Sequence, residues 1–344
     1  PIDKGYTNSV YQYNSGAYDI DGDSLSYSLI PVRSGTINNS GALIGFDIPS
    51  QVSPDDVSIG GGGNLSIDPI RGTVTWDAPI IPGEYNIAIL ISEWRNGIGI
   101  GYVVRDMQII IEDNERDPPL IEVPNDTCVV AGSVLVDKII AREINGDRIS
   151  LSLLGEVGDL GGTLNTFPID SGVRGEVRWI PSCSEPRDQP YFAIFKGTSN
   201  PDADWRLSSY EEWAISVIGE PIMGVEVSYL SSSTENSLAW DKYCEGGEAI
   251  SSIEIWRRSC DTIPVIRSSC EMGIPTSWGF VKVGEVNGDD TVFVDSNVLL
   301  GNDYFYVLTA NITGQSGGQS VASEIVSVQT TIDGPWISRV TVLE

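Results

Sequence analysis

Histidine is absent from this 344-residue chain. Without imidazole there is no Ser-His-Asp triad, and the most frequent general base and transition-metal ligand of proteins is missing. A pair of carboxylates could still cleave glycosides, but no stretch of the sequence marks such a pair. The composition therefore predicts a protein that is not an enzyme.

Basic residues are also scarce, because 20 lysines and arginines stand against 48 acidic residues and leave a formal net charge of -28. This charge repels phosphate backbones and anionic headgroups and attracts divalent cations. Solubility alone would also account for the excess of acid. No apolar run reaches about 18 residues, so we expect no direct membrane insertion, and nucleic acid is not an expected partner.

An acidic turn followed by a strand occurs twice in the sequence. AYDIDGDSLSYSL at 17–29 and AREINGDRISLSL at 141–153 are identical at seven of thirteen positions. In each copy a glycine, Gly22 or Gly146, is expected to adopt the left-handed conformation of a tight turn. The alternating apolar residues that follow should point into a core; they are Leu25, Tyr27 and Leu29 in one copy and Ile149, Leu151 and Leu153 in the other.

A second motif defines the length of the repeat, because RGTVTW at 71–76 reappears as RGEVRW at 174–179. A period of about 105 to 120 residues in a strand-rich sequence indicates tandem domains. Short strands between turn signals predict an all-β fold of tandem antiparallel β-sandwich modules. We assign 1–115 to an Ig/cadherin-like sandwich, 116–220 to a second Ig-like sandwich, 221–332 to a fibronectin type III-like domain and 333–344 to the start of a further module.

The third module has its own strand pattern. Seven short strands are predicted between residues 225 and 329, with Leu238 and Trp240 pointing inward on the second strand and Tyr304, Tyr306 and Leu308 on the sixth. The segment LLGNDYFYVLTANITGQSGGQSVAS at 299–323 resembles the sixth strand, loop and seventh strand of a fibronectin type III domain. Strand tryptophans, namely Trp76, Trp179 and Trp240, are expected in cores rather than in sugar-stacking sites.

The acidic turns are candidate calcium sites, because alternate aspartates present hard oxygen ligands to one ion. The linker EDNERDPP at 112–119 loosely resembles a cadherin-like junction and is expected to complete the ligand shell. The expected ligands are Asp19, Asp21, Asp23, Glu112, Asp113 and Asp117. The glycine position rules out an EF-hand, and an Asp-Gly turn whose side chains cap their own backbone is the alternative.

Two of the five cysteines, Cys128 and Cys183, fall within one predicted sandwich. A disulfide between its strands is therefore predicted, and such a bond requires an oxidising compartment.

Three segments carry a family resemblance: GEYNIAILISEWRNGIGIGYVVRDMQIIIED at 83–113, NDTCVVAGSVL at 125–135 and CSEPRDQPYFAIFK at 183–196. They resemble modules of very large secreted surface proteins of Bacteroidetes, which typically end in a gliding-motility-associated C-terminal domain read by the type IX secretion system. The resemblance implies an exported, extracellular protein at the cell surface. The partners it implies are other surface proteins, extracellular polysaccharide or substratum, and the secretion machinery during export.

The same resemblance implies a Cys244–Cys270 disulfide and leaves Cys260 over, while a local Cys260–Cys270 loop is the rival pairing. Asp-Ser/Thr-apolar triplets resemble the O-glycosylation signal of Bacteroidetes, and their acceptor residues are Ser24, Thr127, Thr262 and Thr291.

Together these features predict a non-catalytic extracellular fragment of a cell-surface adhesin or stalk, associated with gliding motility or type IX secretion. Two alternatives stay open at this stage. In the first, the modules are accessory parts of a secreted polysaccharide-degrading enzyme. In the second, they belong to a structural subunit of a surface secretion or motility complex. An upstream catalytic domain in the full-length gene would favour the first alternative.

Overall fold

The computed structural model describes residues 2–37, 43–46, 64–113, 116–187, 189–200, 206–244, 250–259, 272–312 and 318–331, with the backbone alone for 33–37 and 43–46. The protein is all-β, built from tandem antiparallel β-sandwiches as predicted. It divides into two compact units. The first comprises Pro1–Val129, Ser133–Pro181 and Gln189–Ser216, and the second comprises Val130–Gly132, Ser182–Asp188 and Val217–Glu344. The proposed module boundaries stay predictions, and 333–344 lie outside the described residues.

The first sandwich lies in the first unit. Its strands are β1 (Ile2–Tyr6), β2 (Tyr11–Asn14), β3 (Ser24–Ile30), β4 (Val32–Ile37), β5 (Leu43–Phe46), β6 (Leu65–Ile67), β7 (Thr73–Trp76), β8 (Gly83–Arg95) and β9 (Ile98–Glu112). One sheet has the order β1-β9-β8-β3 and the other β2-β7-β6, while β4 pairs with β5. Strand β1 runs parallel to β9, and the remaining pairs are antiparallel.

The longest hairpin joins β8 to β9 through Asn96 and Gly97. Both residues have positive φ, 52° and 75°, as a two-residue type I′ turn requires, and Asn-Gly is the sequence that tolerates it best. The turn fixes the register of the two strands from Arg95 opposite Ile98 to Gly83 opposite Ile111. Arg95 therefore lies at one end of the hairpin and Glu112 at the other.

The second sandwich contains β10 (Leu120–Glu122), β11 (Thr127–Val130), β12 (Leu135–Arg142), β13 (Ile149–Leu154), α1 (Glu156–Asp159), β14 (Thr163–Ile169), β15 (Gly172–Trp179), β16 (Tyr191–Ser199) and β17 (Ser208–Ile218). Its sheets have the orders β10-β12-β15-β14 and β11-β17-β16-β13. Over the residues that the structure describes, no helix combines the length and apolar character needed to cross a bilayer.

The repeated motifs occupy matching places in the two sandwiches. Trp76 and Trp179 are both buried, and each packs edge-on against a tyrosine of the next long strand, Tyr85 at 4.8 Å and Tyr191 at 5.2 Å between ring centroids. The turn glycines Gly22 and Gly146 share a φ of 81°, so their predicted left-handed conformation is confirmed. Of the alternating residues predicted inside, Tyr27 and Leu151 are buried and the other four are half-buried.

The second unit contains β18 (Glu226–Leu230), β19 (Glu235–Ala239), β20 (Ile250–Ser259), a 3₁₀ turn (Thr276–Trp278), β21 (Val281–Asn287), β22 (Val292–Asp295), β23 (Asp303–Ile312) and β24 (Val326–Gln329). The orders β18-β19-β22 and β21-β20-β23-β24 form a three-on-four sandwich. The inward positions predicted for the third module are all confirmed, because they are buried in one cluster: Leu238, Trp240, Tyr304, Tyr306 and Leu308.

The disulfide found in the described residues joins Cys183 to Cys244, whose Cα atoms lie 6.0 Å apart. A sulfur forms one disulfide bond, so the predicted Cys128–Cys183 and Cys244–Cys270 pairings were wrong. The physical reason is that residues 182–187 belong to the second unit, where Cys183 and Cys244 lie in the same hydrophobic cluster. Cys260 and Cys270 lie outside the described residues.

Candidate functional site

The acidic turn of the first repeat caps its own backbone. Asp19 Oδ1 accepts hydrogen bonds from the backbone N–H groups of Asp21 at 2.8 Å and Asp23 at 3.2 Å. The three aspartates still bring one carboxylate oxygen each within 4.8 Å of the others. The predicted convergence of these side chains is therefore real, and the self-capping turn that was its alternative is also present.

An arginine already supplies the positive charge at this turn. Arg95 donates through Nε to Asp23 Oδ1 at 3.0 Å and through Nη2 to Asp23 Oδ2 at 2.7 Å, and Nη2 lies 3.8 Å from Asp21 Oδ2. The Asp23 side chain is only 2% exposed. Hydrogen bonds from Arg95 lower the pKa of Asp23, whereas desolvation, with Asp19 and Asp23 close by, raises the pKa of Glu93.

The second copy of the turn repeats this chemistry with an arginine from the linker. Glu143 Oε2 accepts the Asp147 backbone N–H at 2.9 Å, in the place that Asp19 takes in the first copy. Asp147 then pairs with Arg116, and Asn145 Nδ2 donates to the Asp117 carbonyl oxygen at 3.2 Å. The linker therefore contacts the acidic turn of the second repeat.

The linker acids do not lie beside the three aspartates. Glu112 pairs with Lys4 at 2.8 Å, and Asp113 accepts from the Thr7 hydroxyl at 3.1 Å. Strand β9 separates these residues from the Arg95 end of the hairpin, and a strand of this length spans about 45 Å. The prediction that Glu112, Asp113 and Asp117 complete a shell around Asp19, Asp21 and Asp23 was wrong.

A calcium ion fits the first turn poorly, because the Asp23 carboxylate is committed to Arg95 and Asp19 Oδ1 is committed to two N–H groups. Calcium prefers six or more oxygen ligands, and only three carboxylates converge among the described residues. Calcium binding at this turn therefore requires displacement of the guanidinium.

We expect millimolar calcium to leave the melting temperature of the wild-type protein nearly unchanged and to raise that of the Arg95→Gln variant. The substitution leaves three carboxylates without a neighbouring positive charge. The carboxylates then repel one another, and a divalent ion bound between them relieves that repulsion. Thermal unfolding with calcium, magnesium or chelator measures the effect. Arg178→Gln, at an exposed arginine of β15, is the matched control. A wild-type protein that calcium stabilises as strongly as the variant contradicts this assignment.

The predicted glycosylation acceptors lie in different surroundings. Ser24 opens β3 and its hydroxyl donates to the Trp94 carbonyl oxygen at 3.2 Å. Thr127 opens β11 and Thr291 immediately precedes β22, and both are half-buried. Thr262 lies outside the described residues. Modification at these positions stays a prediction.

A buried carboxylate joins the two sandwiches of the first unit. Glu212 of β17 lies against the first sandwich, where Asn14 Nδ2 donates to its Oε1 at 2.7 Å and the Thr73 hydroxyl donates to the same oxygen. Arg71 Nε lies 3.8 Å from Oε2, and the Arg71 guanidinium covers the Phe192 ring at 5.8 Å. Both sandwiches therefore contribute to the surroundings of this side chain.

The Glu212 side chain is 6% exposed, and desolvation raises its pKa to about 7 despite the Asn14 hydrogen bond and the Arg71 charge, which both lower it. A cleft of about 410 Å³ opens beside it, lined in part by Gln12, Asp68, Arg71 and Tyr210. Hydrogen bonds from Asn14 and Thr73 to Oε1, with the Arg71 guanidinium near Oε2, fix the carboxylate. Glu212 of the second sandwich is therefore bound to residues of the first.

Sequence reasoning did not single out Glu212. Its signal is the run SSYEEWAISVI at 208–218, in which a glutamate takes a buried position in a strand whose residues are mostly buried. A charge at a buried strand position indicates a paired or hydrogen-bonded role. The donors around Glu212 come from the packing of β2 and β7 against β17. The alternation of residues within β17 does not predict that packing.

Comparison with known proteins gives weak similarities. No family model and no curated protein matches the chain. Among solved structures, titin domains A168–A170 are 13% identical with a TM-score of 0.26 and cover 95% of both chains. The sialic acid binding region of a Streptococcus sanguinis SK1 adhesin is 9% identical with a TM-score of 0.26, covering 70% of this chain and 91% of its own. The pectate lyase PelI of Erwinia chrysanthemi is 15% identical with a TM-score of 0.21, covering 31% and 28%. At these values the neighbours carry no conclusion about function.

Proposed function

We propose that this chain is a non-catalytic part of an exported surface protein, an adhesin or stalk that holds its shape outside the cell. The observation that supports it most directly is the Cys183–Cys244 disulfide. Disulfides persist in oxidising compartments and are rare in reducing ones. The bond lies in the core of the second unit, where it stabilises the sandwich.

The proposed mechanism is mechanical and presentational. Each sandwich closes its own core around a buried tryptophan, Trp76, Trp179 or Trp240, so each can resist load without a ligand. Glu212 and its donors fasten the first two sandwiches to each other within the first unit. Such modules suit a chain that presents loops or distal domains to polysaccharide, to a substratum or to other surface proteins.

The finer proposal is export by type IX secretion in a gliding bacterium of the Bacteroidetes. It rests on the resemblance of 83–113, 125–135 and 183–196 to surface modules of that group. In this proposal the secretion machinery is a transient partner during export, and the mature protein stays extracellular at the cell surface.

Surface labelling in the native host tests the proposal. Intact cells are treated with a membrane-impermeant biotin reagent and with protease, and the tagged protein is analysed on reducing and non-reducing gels. We expect the protein to be labelled and cleaved on intact cells and to run faster without reductant. A protein that is protected in intact cells and reduced throughout is cytoplasmic, and it contradicts the proposal.

A further inference from the structure

One cleft in the second unit differs in charge from the rest of this acidic protein. It has a volume of about 660 Å³, and its lining includes the consecutive arginines Arg257 and Arg258 and no acidic side chain among the described residues. The whole chain carries only 20 basic residues against 48 acidic ones. Two adjacent arginines in a depression whose described lining residues include no carboxylate are therefore a local exception to the negative charge of the molecule.

Arg257 forms a fixed wall of this cleft. Its Nη1 donates to Asp295 Oδ2 at 2.6 Å and to the Asn297 carbonyl oxygen at 2.7 Å, and its guanidinium covers the Tyr304 ring at 5.2 Å. Asp295 is buried and also accepts from the Tyr306 hydroxyl at 2.7 Å. Asp295 therefore neutralises the charge of Arg257. Arg257 contributes a fixed side of the cleft and no uncompensated positive charge.

Unlike Arg257, Arg258 forms no ion pair with the described residues. Its hydrogen bond within the described residues is the one from Nη1 to the Trp278 carbonyl oxygen at 2.5 Å, and no acidic partner accompanies it there. That bond fixes the guanidinium beside the 3₁₀ turn. Gly279 follows the turn with a φ of 69°, the left-handed conformation that favours glycine. Arg258 and Gly279 both line the cleft, so the guanidinium is accessible from it.

The other lining groups are those that bind sugars. The half-buried Trp278 offers a ring on which the apolar face of a pyranose can stack, as aromatic residues do at wet interfaces. Asn297 and Asn302 add amide groups, and Ser259 and Ser277 add exposed hydroxyls. The volume falls within the range of small-ligand sites, which is about 300–1,000 Å³.

We propose that this cleft binds an anionic saccharide, with the acid group on the Arg258 fork, a sugar ring against Trp278 and hydroxyl groups on the asparagine and serine side chains. An arginine fork matches the two oxygens of a carboxylate or sulfate better than a point charge does. The strong negative charge of the chain disfavours long polyanions such as nucleic acid, so a short acidic segment of a glycan is the fitting ligand. The inference rests on the proposed surface function for its biological meaning, and on the cleft alone for its chemistry.

Titration of the full chain with three hexasaccharides tests the proposal: one of uronic acid units, one bearing sulfate esters and one neutral. Calorimetry and tryptophan fluorescence report binding at physiological salt. We expect the acidic hexasaccharides to bind at least about tenfold more tightly than the neutral one, and the better of the two acidic ligands identifies carboxylate or sulfate as the acid group. Equal binding of the neutral sugar, equal binding of a single-stranded DNA hexamer, or no binding at all overturns the proposal.

Variants locate the site. Arg258→Gln should weaken acidic-hexasaccharide binding by about tenfold or more, and Arg258→Lys should lose part of that affinity because the fork is gone while the charge stays. Lys242→Gln is the matched control, since it removes one positive charge from an exposed position that pairs with Asp289 at 3.0 Å. Unchanged melting temperatures verify folding. Equal weakening by Arg258→Gln and Lys242→Gln would show a general charge effect and reject the site.

The outcome is separable from the proposed function. A surface-labelled protein without saccharide binding rejects the cleft alone. A purified protein that binds the acidic sugar but stays reduced inside the cell rejects the surface function alone.

Discussion

Replacing Cys183 and Cys244 together by alanine should lower the free energy of unfolding of the second unit by about 4 kcal/mol. The two residues are 61 positions apart, and the loop-closure entropy that a disulfide removes from the unfolded chain grows with the length of that loop. The native contacts of the cluster lose only two sulfur atoms. Most of the effect therefore comes from the greater freedom of the unfolded chain.

Native-state hydrogen exchange read by mass spectrometry resolves this effect within the intact chain. Amides of β19 and β23 in the second unit should lose about a thousandfold in protection, which corresponds to about 4 kcal/mol. Amides of β8 in the first unit serve as the internal control and should be unchanged. Removing both cysteines avoids a free thiol that could pair elsewhere. Protection that falls equally in both units, or in neither, is incompatible with a bond confined to the second unit.

The second large expected effect is that the free energy of unfolding of the first unit depends on pH through Glu212. Its pKa is about 7 in the folded state against 4.5 for an unperturbed glutamate, so between these two pH values the folded state holds a proton that the unfolded state has released. Stability from this group is complete below about pH 4.5 and is lost as the pH rises through 7. Between about pH 5 and pH 8 the loss should amount to about 2.5 kcal/mol.

The Glu212→Gln variant should remove this slope. The amide keeps an oxygen that can accept from Asn14 and Thr73 and carries no charge, so the variant should be more stable than the wild type at about pH 8 and similar at about pH 5. Urea unfolding followed by pulse-labelling mass spectrometry on peptides of the first unit gives both values. Glu84→Gln, at an exposed carboxylate of β8, should retain the wild-type slope. Parallel slopes for wild type and Glu212→Gln would show that Glu212 does not titrate in this range.

Charged neighbours make smaller contributions to the pKa of Glu212 than its burial does. Arg71 lowers the pKa of Glu212, whereas Asp68 and Glu211 raise it. Arg71 in turn lies 3.4 Å from Asp126, so part of its charge is already compensated. Desolvation is the largest cause, and for that reason the raised pKa reports how closely β2 and β7 pack onto β17.

Much of the fold could be predicted from local pattern. Alternation of apolar residues placed Leu238, Trp240 and Tyr306 inside because the side chains of a strand alternate between its two faces. The glycine of each acidic turn had to be left-handed because the chain reverses there, and the repeated tryptophans marked the same core position twice. These conclusions need only residues that are neighbours in the sequence.

The partners of charged and sulfur side chains could not be predicted in this way. Asp23 meets Arg95 across the sheet, and the linker acids lie at the far end of the same hairpin, so an acidic stretch that suggested calcium is neutralised by arginine. Cys183 lies between β15 and β16 of the second sandwich in the sequence but packs with the second unit. Each of these outcomes depends on which strands lie side by side.

The sequence by itself determined the all-β architecture, the tandem repeat and the absence of imidazole chemistry, because composition and a two-residue period are local properties. Only the tertiary structure decided that Cys183 bonds to Cys244, that Glu212 is buried between two sandwiches and that Arg258 lines a cleft whose described lining residues include no carboxylate. Contacts between residues far apart in the chain depend on the packing of whole sheets, and no single stretch of sequence contains that information.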